Sequence, residues 1–317
     1  MSHVPVLLDE VLEALAPEGG KIYVDGTFGA GGYTRAVLEE ADCYVLALDR
    51  DPSVRDNVEI FKEKYNDRFQ FVKSTFGDVE TVVKTQCERR VDGFVLDIGV
   101  SSMQIDDGAR GFSFQKDGPL DMRMDRADHD LTAETIVNEW EEARLKIIFR
   151  DYGEERFAGR VAKAIIIKRT QGPIKTTLQL ATIIRDAIPK ATHTKIDPAT
   201  RCFQALRIAV NDELKELEDA LNASINILDQ GGHLVVVSFH SLEDKIVKRF
   251  LDRHSGYDES ASRHQPAPQN ENYFFSVPKR KAVTASEEEI AVNSRARSAR
   301  LRMAVRTAYK TDEGVGV

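Results

Sequence analysis

Over the first hundred residues, short apolar runs at 22–24, 44–48, 69–72 and 91–98 alternate with segments of helical period at 4–16, 33–40, 54–65 and 79–88. That alternation leaves few folds open. Consecutive strands joined by helix-length connections pair in parallel, with right-handed crossovers. The pattern breaks at 99–125, which has no usable period and holds four glycines. A stretch this long without regular structure is either disordered or functional; Phe112, Phe114, Leu120, Met122 and Met124 argue for order. From Thr132 to about residue 228 the chain reads as helix, broken near Gly153, Gly172-Pro173 and Ile188-Pro189. A strand returns at 233–237, a helix follows at 241–253, and the tail offers two more strands at 273–277 and 299–305. Residues 254–272 read as an exposed loop. A helical domain inserted between two strands of one sheet accounts for this order, with 1–124 and 208–317 forming the discontinuous α/β domain and 125–207 the insert.

Composition narrows the class. With 42% apolar and 30% charged residues, the chain is too apolar for disorder and too charged for a membrane protein. Its three cysteines, Cys43, Cys87 and Cys202, are scattered and form no C-x-x-C pair, so neither a disulfide framework nor a zinc site is expected. The seven histidines are equally scattered, and no metal is expected. The N-terminus has neither the basic start nor the apolar core of a signal peptide. No apolar run approaches the roughly 18 residues needed to span a bilayer. A cytoplasmic protein without membrane contact is expected.

Charge is distributed unevenly. Between Arg156 and Val210 there are eleven basic and two acidic residues, a net of +9 in a chain of net −8. Arg156, Arg160, Lys163, Lys168, Arg169, Arg201 and Arg207 are the candidate nucleic-acid contacts, since clustered cations gain from counterion release on a polyanion. A second basic stretch runs through Lys279-Arg280-Lys281, Arg295, Arg297, Arg300, Arg302 and Arg306.

The chemistry concentrates at Val24-Asp25-Gly26-Thr27-Phe28-Gly29-Ala30-Gly31-Gly32, a glycine-rich turn between a strand and a helix. Such a turn exposes backbone N–H groups at a helix N-terminus. The next strand ends in Asp49, where a carboxylate can accept both hydroxyls of a ribose. The Lys-Ser/Thr of a phosphate-binding loop is missing, which argues against triphosphate hydrolysis. A nucleoside ligand fits, and S-adenosylmethionine satisfies the pattern, its carboxylate meeting the helix that starts at Tyr33. Asp25 and Asp49 could instead only cap their loops. Ligands in such sheets bind beyond the carboxyl ends of the strands, so Phe76 and Asp97 face the same crevice. His240, at the end of a later strand, reads equally as a ligand contact or a structural hydrogen-bonding group. Ser241 and Asp244 read as helix caps.

The chain closely resembles the small-subunit ribosomal RNA methyltransferase H family (MraW). The matching stretches are His3-x-Pro5-Val6-Leu7-Leu8-x-Glu10, Asp25-Gly26-Thr27-Phe28-Gly29-x-Gly31-Gly32, Asp49-Arg50-Asp51-Pro52 and Leu96-Asp97-x-Gly99-Val100-Ser101-Ser102. They continue through Arg110-Gly111-Phe112-Ser113-Phe114, Asp117-Gly118-Pro119-Leu120-Asp121-Met122-Arg123-Met124-Asp125 and Tyr152-Gly153-Glu154-Glu155-Arg156 to Ser238-Phe239-His240-Ser241-Leu242-Glu243-Asp244 and Arg295-Ala296-Arg297-Ser298.

The resemblance implies a class I (Rossmann-like) S-adenosylmethionine-dependent methyltransferase sheet with an inserted all-helical domain. It implies methyl transfer to N4 of a cytidine in the decoding region of 16S rRNA, the partner being the assembled or late-assembling small ribosomal subunit. A homodimer is left open. The implied cofactor contacts are Gly31, Gly32, Tyr33, Asp49, Phe76, Asp97 and Gln104. Two positions depart from the family pattern, Tyr33 where His is common and Met103 where Pro is common. The N4 lone pair of cytosine is delocalised, so catalysis needs in-line alignment and an acceptor for the amine hydrogens. Asp97, helped by Ser101 or Ser102, is the expected acceptor. Phe112, Phe114 and residues 117–125 are expected either to cover a flipped base or to pack between the domains. A dinucleotide-dependent oxidoreductase and a non-enzymatic nucleic-acid-binding regulator are the competing readings.

Overall fold

The computed structural model describes residues 5–127, 130–189, 197–256 and 273–307, with the side chain of Ser102 left aside. The chain divides into two compact units, one of residues 1–99 with 215–317 and one of residues 100–214.

Among the described residues the first unit is built on seven strands: β1 (Ile22–Asp25), β2 (Tyr44–Asp49), β3 (Phe69–Lys73), β4 (Val91–Asp97), β5 (Leu228–Ser238), β6 (Phe275–Ser276) and β7 (Arg300–Arg306). They lie in the order β3-β2-β1-β4-β5-β7-β6. The first five are parallel, while β7 runs antiparallel to β5 and to β6. This mixed α/β sheet agrees with the Rossmann-like class that the resemblance implies. The parallel strands read as unbroken apolar runs because helices cover both faces of such a sheet. Val24, Leu46, Leu48, Phe94 and Leu96 are all fully buried. The helices are α1 (Leu8–Leu15), α2 (Gly32–Glu40), α3 (Arg55–Tyr65) and α4 (Val79–Gln86) in the first half of the chain. The chain winds outward from β1 through β2 to β3, then returns to place β4 on the other side of β1. Sheets of this kind bind ligands where the strand order reverses, here at the carboxyl ends of β1 and β4.

The second unit contains α5 (Ser102–Asp106), α6 (Ala133–Glu139), α7 (Glu142–Asp151), α8 (Ala158–Arg169), α9 (Thr177–Ala187) and α10 (Ala199–Asn211). The remaining helices are α11 (Glu213–Ile227), α12 (Ser241–His254) and α13 (Glu287–Val292). The division falls at 100 and 214 rather than at 125 and 207. The reason is that the aperiodic stretch folds onto the helices: Leu120 and Met122 are buried in the same apolar cluster as Phe149, Val161 and Leu206. Asn211 on α10 donates to the Met122 carbonyl at 2.8 Å and accepts from the Met124 N–H at 2.8 Å. Arg110 donates to the carbonyls of Arg123 and Met124. Gly118 lies so close to Gly108 that a Cβ there would sit 1.9 Å from its carbonyl oxygen. The odd composition of this stretch encodes a tightly wound loop.

Candidate active site

At the end of β1 the glycine-rich turn is pinned to both neighbouring strands. The Gly26 N–H donates to the Val95 carbonyl and the Phe28 N–H to the Leu48 carbonyl. Asp25, only 2% exposed, accepts from the Thr27 N–H and from the Thr34 hydroxyl at 2.7 Å. It ties the turn to α2, so of its two readings the loop-capping one holds. Burial raises its pKa. Gly31 has φ 76°, in the left-handed region, and a Cβ there would meet the Phe61 ring at 2.4 Å. A Cβ on Gly32 would meet Pro5 at 2.2 Å. Close packing inside the protein therefore demands these two glycines, in addition to any approach by a ligand. α2 starts here with no acidic residue in its first turn, which leaves its amide dipoles uncompensated for an anion.

Tyr33 is buried, and its hydroxyl donates to the Val6 carbonyl. Its pKa is raised well above the ordinary phenol value, chiefly by burial and then by the nearby Asp97 and Asp25 carboxylates. Leu7 is held in turn by its N–H donating to Glu289 on α13 at 2.8 Å. A histidine in place of Tyr33 would not carry this phenolic tie, so the departure from the family pattern has a local use.

Asp49 closes β2. Its carboxylate accepts from the Gly29 N–H at 2.7 Å and from the Asp51 N–H at 2.8 Å. Burial pushes its pKa up to about 6. Phe76, half-buried at the end of β3, has its Cβ 3.3 Å from the place a Gly26 Cβ would take. Arg50 pairs with Glu216 on α11 at 2.7 Å, both nearly enclosed. This link is a residue pair that sequence reading missed, because nothing local connects positions so far apart.

Asp97 closes β4. Its N–H donates to the Thr27 hydroxyl at 2.7 Å, while its Oδ1 is enclosed without a hydrogen-bond donor among the described residues. Its pKa is pushed up to about 8, first by burial, then by the Asp25 and Glu243 carboxylates. An enclosed carboxylate oxygen facing two others suits a positively charged or proton-donating guest. Gly31, Gly32, Tyr33, Asp49, Phe76 and Asp97 thus gather at one end of the sheet.

Ser101 and Gln104 belong to the second unit. There they form a reciprocal capping box on α5: Ser101 accepts from the Gln104 N–H, and the Gln104 side chain accepts from the Ser101 N–H. Gln104 is buried in that role. The side chain of Ser102 lies outside the described residues. His240 proves to be structural, since it is itself the N-cap of α12 and Glu243 its reciprocal partner. The expected caps were Ser241 and Asp244, one residue later. Asp244 instead takes Arg300 and Arg302 at 2.8 and 2.6 Å. Phe112 and Phe114 pack on the helical core, Phe114 edge-on to Phe203 at 4.9 Å.

The basic residues separate into two groups. Arg169 donates to the carbonyls of Val137 and Trp140, Arg185 is held by Asp197, and Arg207 by the buried Glu213 at 2.8 Å. Arg169 and Arg207 are therefore engaged within the helical unit. Arg156, Arg160, Lys163, Lys168 and Arg201 remain exposed, three of them on α8. In the tail, Arg300 and Arg302 are engaged by Asp244, and Arg306 donates to backbone carbonyls.

A profile of the MraW methylase family matches residues 1–307. The chain belongs to that family. Relatives named ribosomal RNA small subunit methyltransferase H occur in Rhodospirillum rubrum, 50% identical over 312 residues covering 97% of this chain and 95% of the relative. Those of Paramagnetospirillum magneticum and Rhodospirillum centenum are 50% and 52% identical, each over 315 residues. The alignments cover 99% and 96% of this chain and 98% and 92% of those relatives. The protein is a methyltransferase, and its methyl donor is S-adenosylmethionine. Among the described residues no helix is long and apolar enough to cross a membrane, and no cluster of His, Cys, Asp and Glu could hold a metal ion.

If Asp49 receives the donor's ribose, as the resemblance implies, it must do so ionised, and donor affinity is then expected to weaken about tenfold per pH unit below 6. In Asp49→Asn the limb near pH 6 should vanish and affinity should be lower throughout. Equilibrium dialysis of labelled donor from pH 5 to 9 measures both; a wild-type affinity flat between pH 5 and 6.5 contradicts the assignment.

Proposed function

We propose that this methyltransferase modifies N4 of a cytidine in the decoding region of 16S rRNA, acting on the assembled or late-assembling small ribosomal subunit. The names of its relatives support the RNA class. The observation that carries the base chemistry is Asp97, whose enclosed Oδ1 has no donor among the described residues. Bound S-adenosylmethionine supplies an electrophilic methyl group on a positively charged sulfur. Asp49 would hold its ribose hydroxyls, the first-turn amides of α2 its carboxylate, and Phe76 would cover its base. Asp97 orients the exocyclic amine by accepting one of its hydrogens, which turns the nitrogen lone pair toward the methyl carbon. It then takes the proton that methylation makes acidic. Ser101, expected to help Asp97, caps α5 through its hydroxyl oxygen. Membership of the MraW methylase family sets the oxidoreductase reading aside.

The exposed cations of α8 bind the flanking phosphates. Replacing Arg160, Lys163 and Lys168 together by Ala should flatten the log–log salt dependence of RNA affinity by about 2 to 3. Donor affinity should not change. An unaltered slope removes α8 from the account. The reaction itself is tested by incubating small subunits lacking base methylation with labelled donor, then digesting the RNA to nucleosides. N4-methylated cytidine is expected, and label in another base or in none refutes the proposal.

A further inference from the structure

We propose that Glu243 is a positioning residue for methyl transfer, acting on Asp97 through a buried negative charge fixed at the adjoining strand end. The inference rests on the reading of Asp97 just given. Glu243 is fully buried in the first turn of α12. Its Oε2 accepts from the N–H groups of Phe239 and His240, at 2.8 and 3.2 Å, which fixes the carboxylate at the carboxyl end of β5. β5 lies next to β4 with Val237 opposite Asp97, and the Ile98 N–H donates to the Val237 carbonyl. The two acids are therefore brought together by adjacent strand ends.

The groups around Asp97 include Asp25 from β1, the Tyr33 phenol from α2, the Thr27 hydroxyl from the turn and Glu243 from α12. His240 stands against Glu243, its Nε2 2.9 Å from Oε1. Capping alone does not require an acid at position 243, because a glutamine accepts the same two N–H bonds. An acid adds charge, and a second carboxylate beside an enclosed one raises the proton affinity of the first. A base is most effective when its pKa lies near the working pH.

Glu243→Gln keeps the cap and removes the charge, and Glu243→Asp keeps the charge and disturbs the cap. The acid limb of kcat/KM on small subunits reports the free-enzyme titration, and the carboxyl ¹³C signal of Asp97, identified by its loss in Asp97→Asn, reports it without turnover. Glu243→Gln should move both midpoints down by about one pH unit; Glu243→Asp should leave them near the wild-type value. Midpoints unmoved in Glu243→Gln, with Asp97→Asn inactive, overturn the role of Glu243 and leave that of Asp97 intact. An Asp97→Asn variant of full activity removes both.

Discussion

Asp97→Asn should lose two to four orders of magnitude of turnover at saturating donor while gaining thermal stability. The loss follows from removing the only acceptor proposed for the amine proton. The gain follows from linkage. In the folded, unliganded protein Asp97 has a pKa near 8, well above its unfolded value, because burial and the carboxylates of Asp25 and Glu243 disfavour its charge. Between those two values the folded state binds more protons than the unfolded one, so this group makes stability fall as pH rises from about 4 to about 8. Asparagine carries no such penalty. The variant should be more stable than wild type by about 1–3 kcal/mol at pH 8, and similar to it at pH 4. Scanning calorimetry of both proteins at the two pH values checks the signs. A mutation that merely damaged the site would lower activity and stability together.

Gly31→Ala should be among the most damaging single-methyl changes in the first unit. Its backbone sits at φ 76°, and the added carbon would lie 2.4 Å from the Phe61 ring and 2.9 Å from Phe28. The left-handed conformation costs an ordinary residue about 1–2 kcal/mol, and overpacking adds about 1–3 kcal/mol. A loss of about 2–5 kcal/mol in urea unfolding is expected, with donor binding abolished because the start of α2 must shift. Gly29→Ala is the internal comparison. It shares a positive φ, yet its Cβ would meet nothing closer than 3.9 Å. It should therefore lose only the backbone contribution. Equal losses at the two positions would mean that the Phe61 and Phe28 rings give way without cost.

The sheet was legible because buried parallel strands announce themselves as short apolar runs, and even the antiparallel tail strands could be placed. The carboxylates at strand ends followed from the same pattern. What stayed hidden was set by contacts rather than by period. Residues 99–125 carry no periodic signal, and only Leu120, Met122 and the Asn211 bonds reveal that they belong with the helices. The α12 cap was placed one residue late because histidine is an uncommon cap, although the three-residue spacing to Glu243 was present. Charge counting could not separate Arg169 and Arg207, which serve the helical core, from the exposed cations of α8. Gly32 also serves a packing role that its motif does not announce, since Pro5 of the N-terminal segment occupies the space beside it. Tyr33 and Val6 form a link that no pairwise motif suggests.

The most direct test of this account is a crystal structure with S-adenosylmethionine bound. The donor should lie at the carboxyl ends of β1, β2 and β4, with its ribose hydroxyls on Asp49 and its charged sulfur on the side of Asp97. A donor bound elsewhere on the chain, or with its ribose turned away from Asp49, would contradict it.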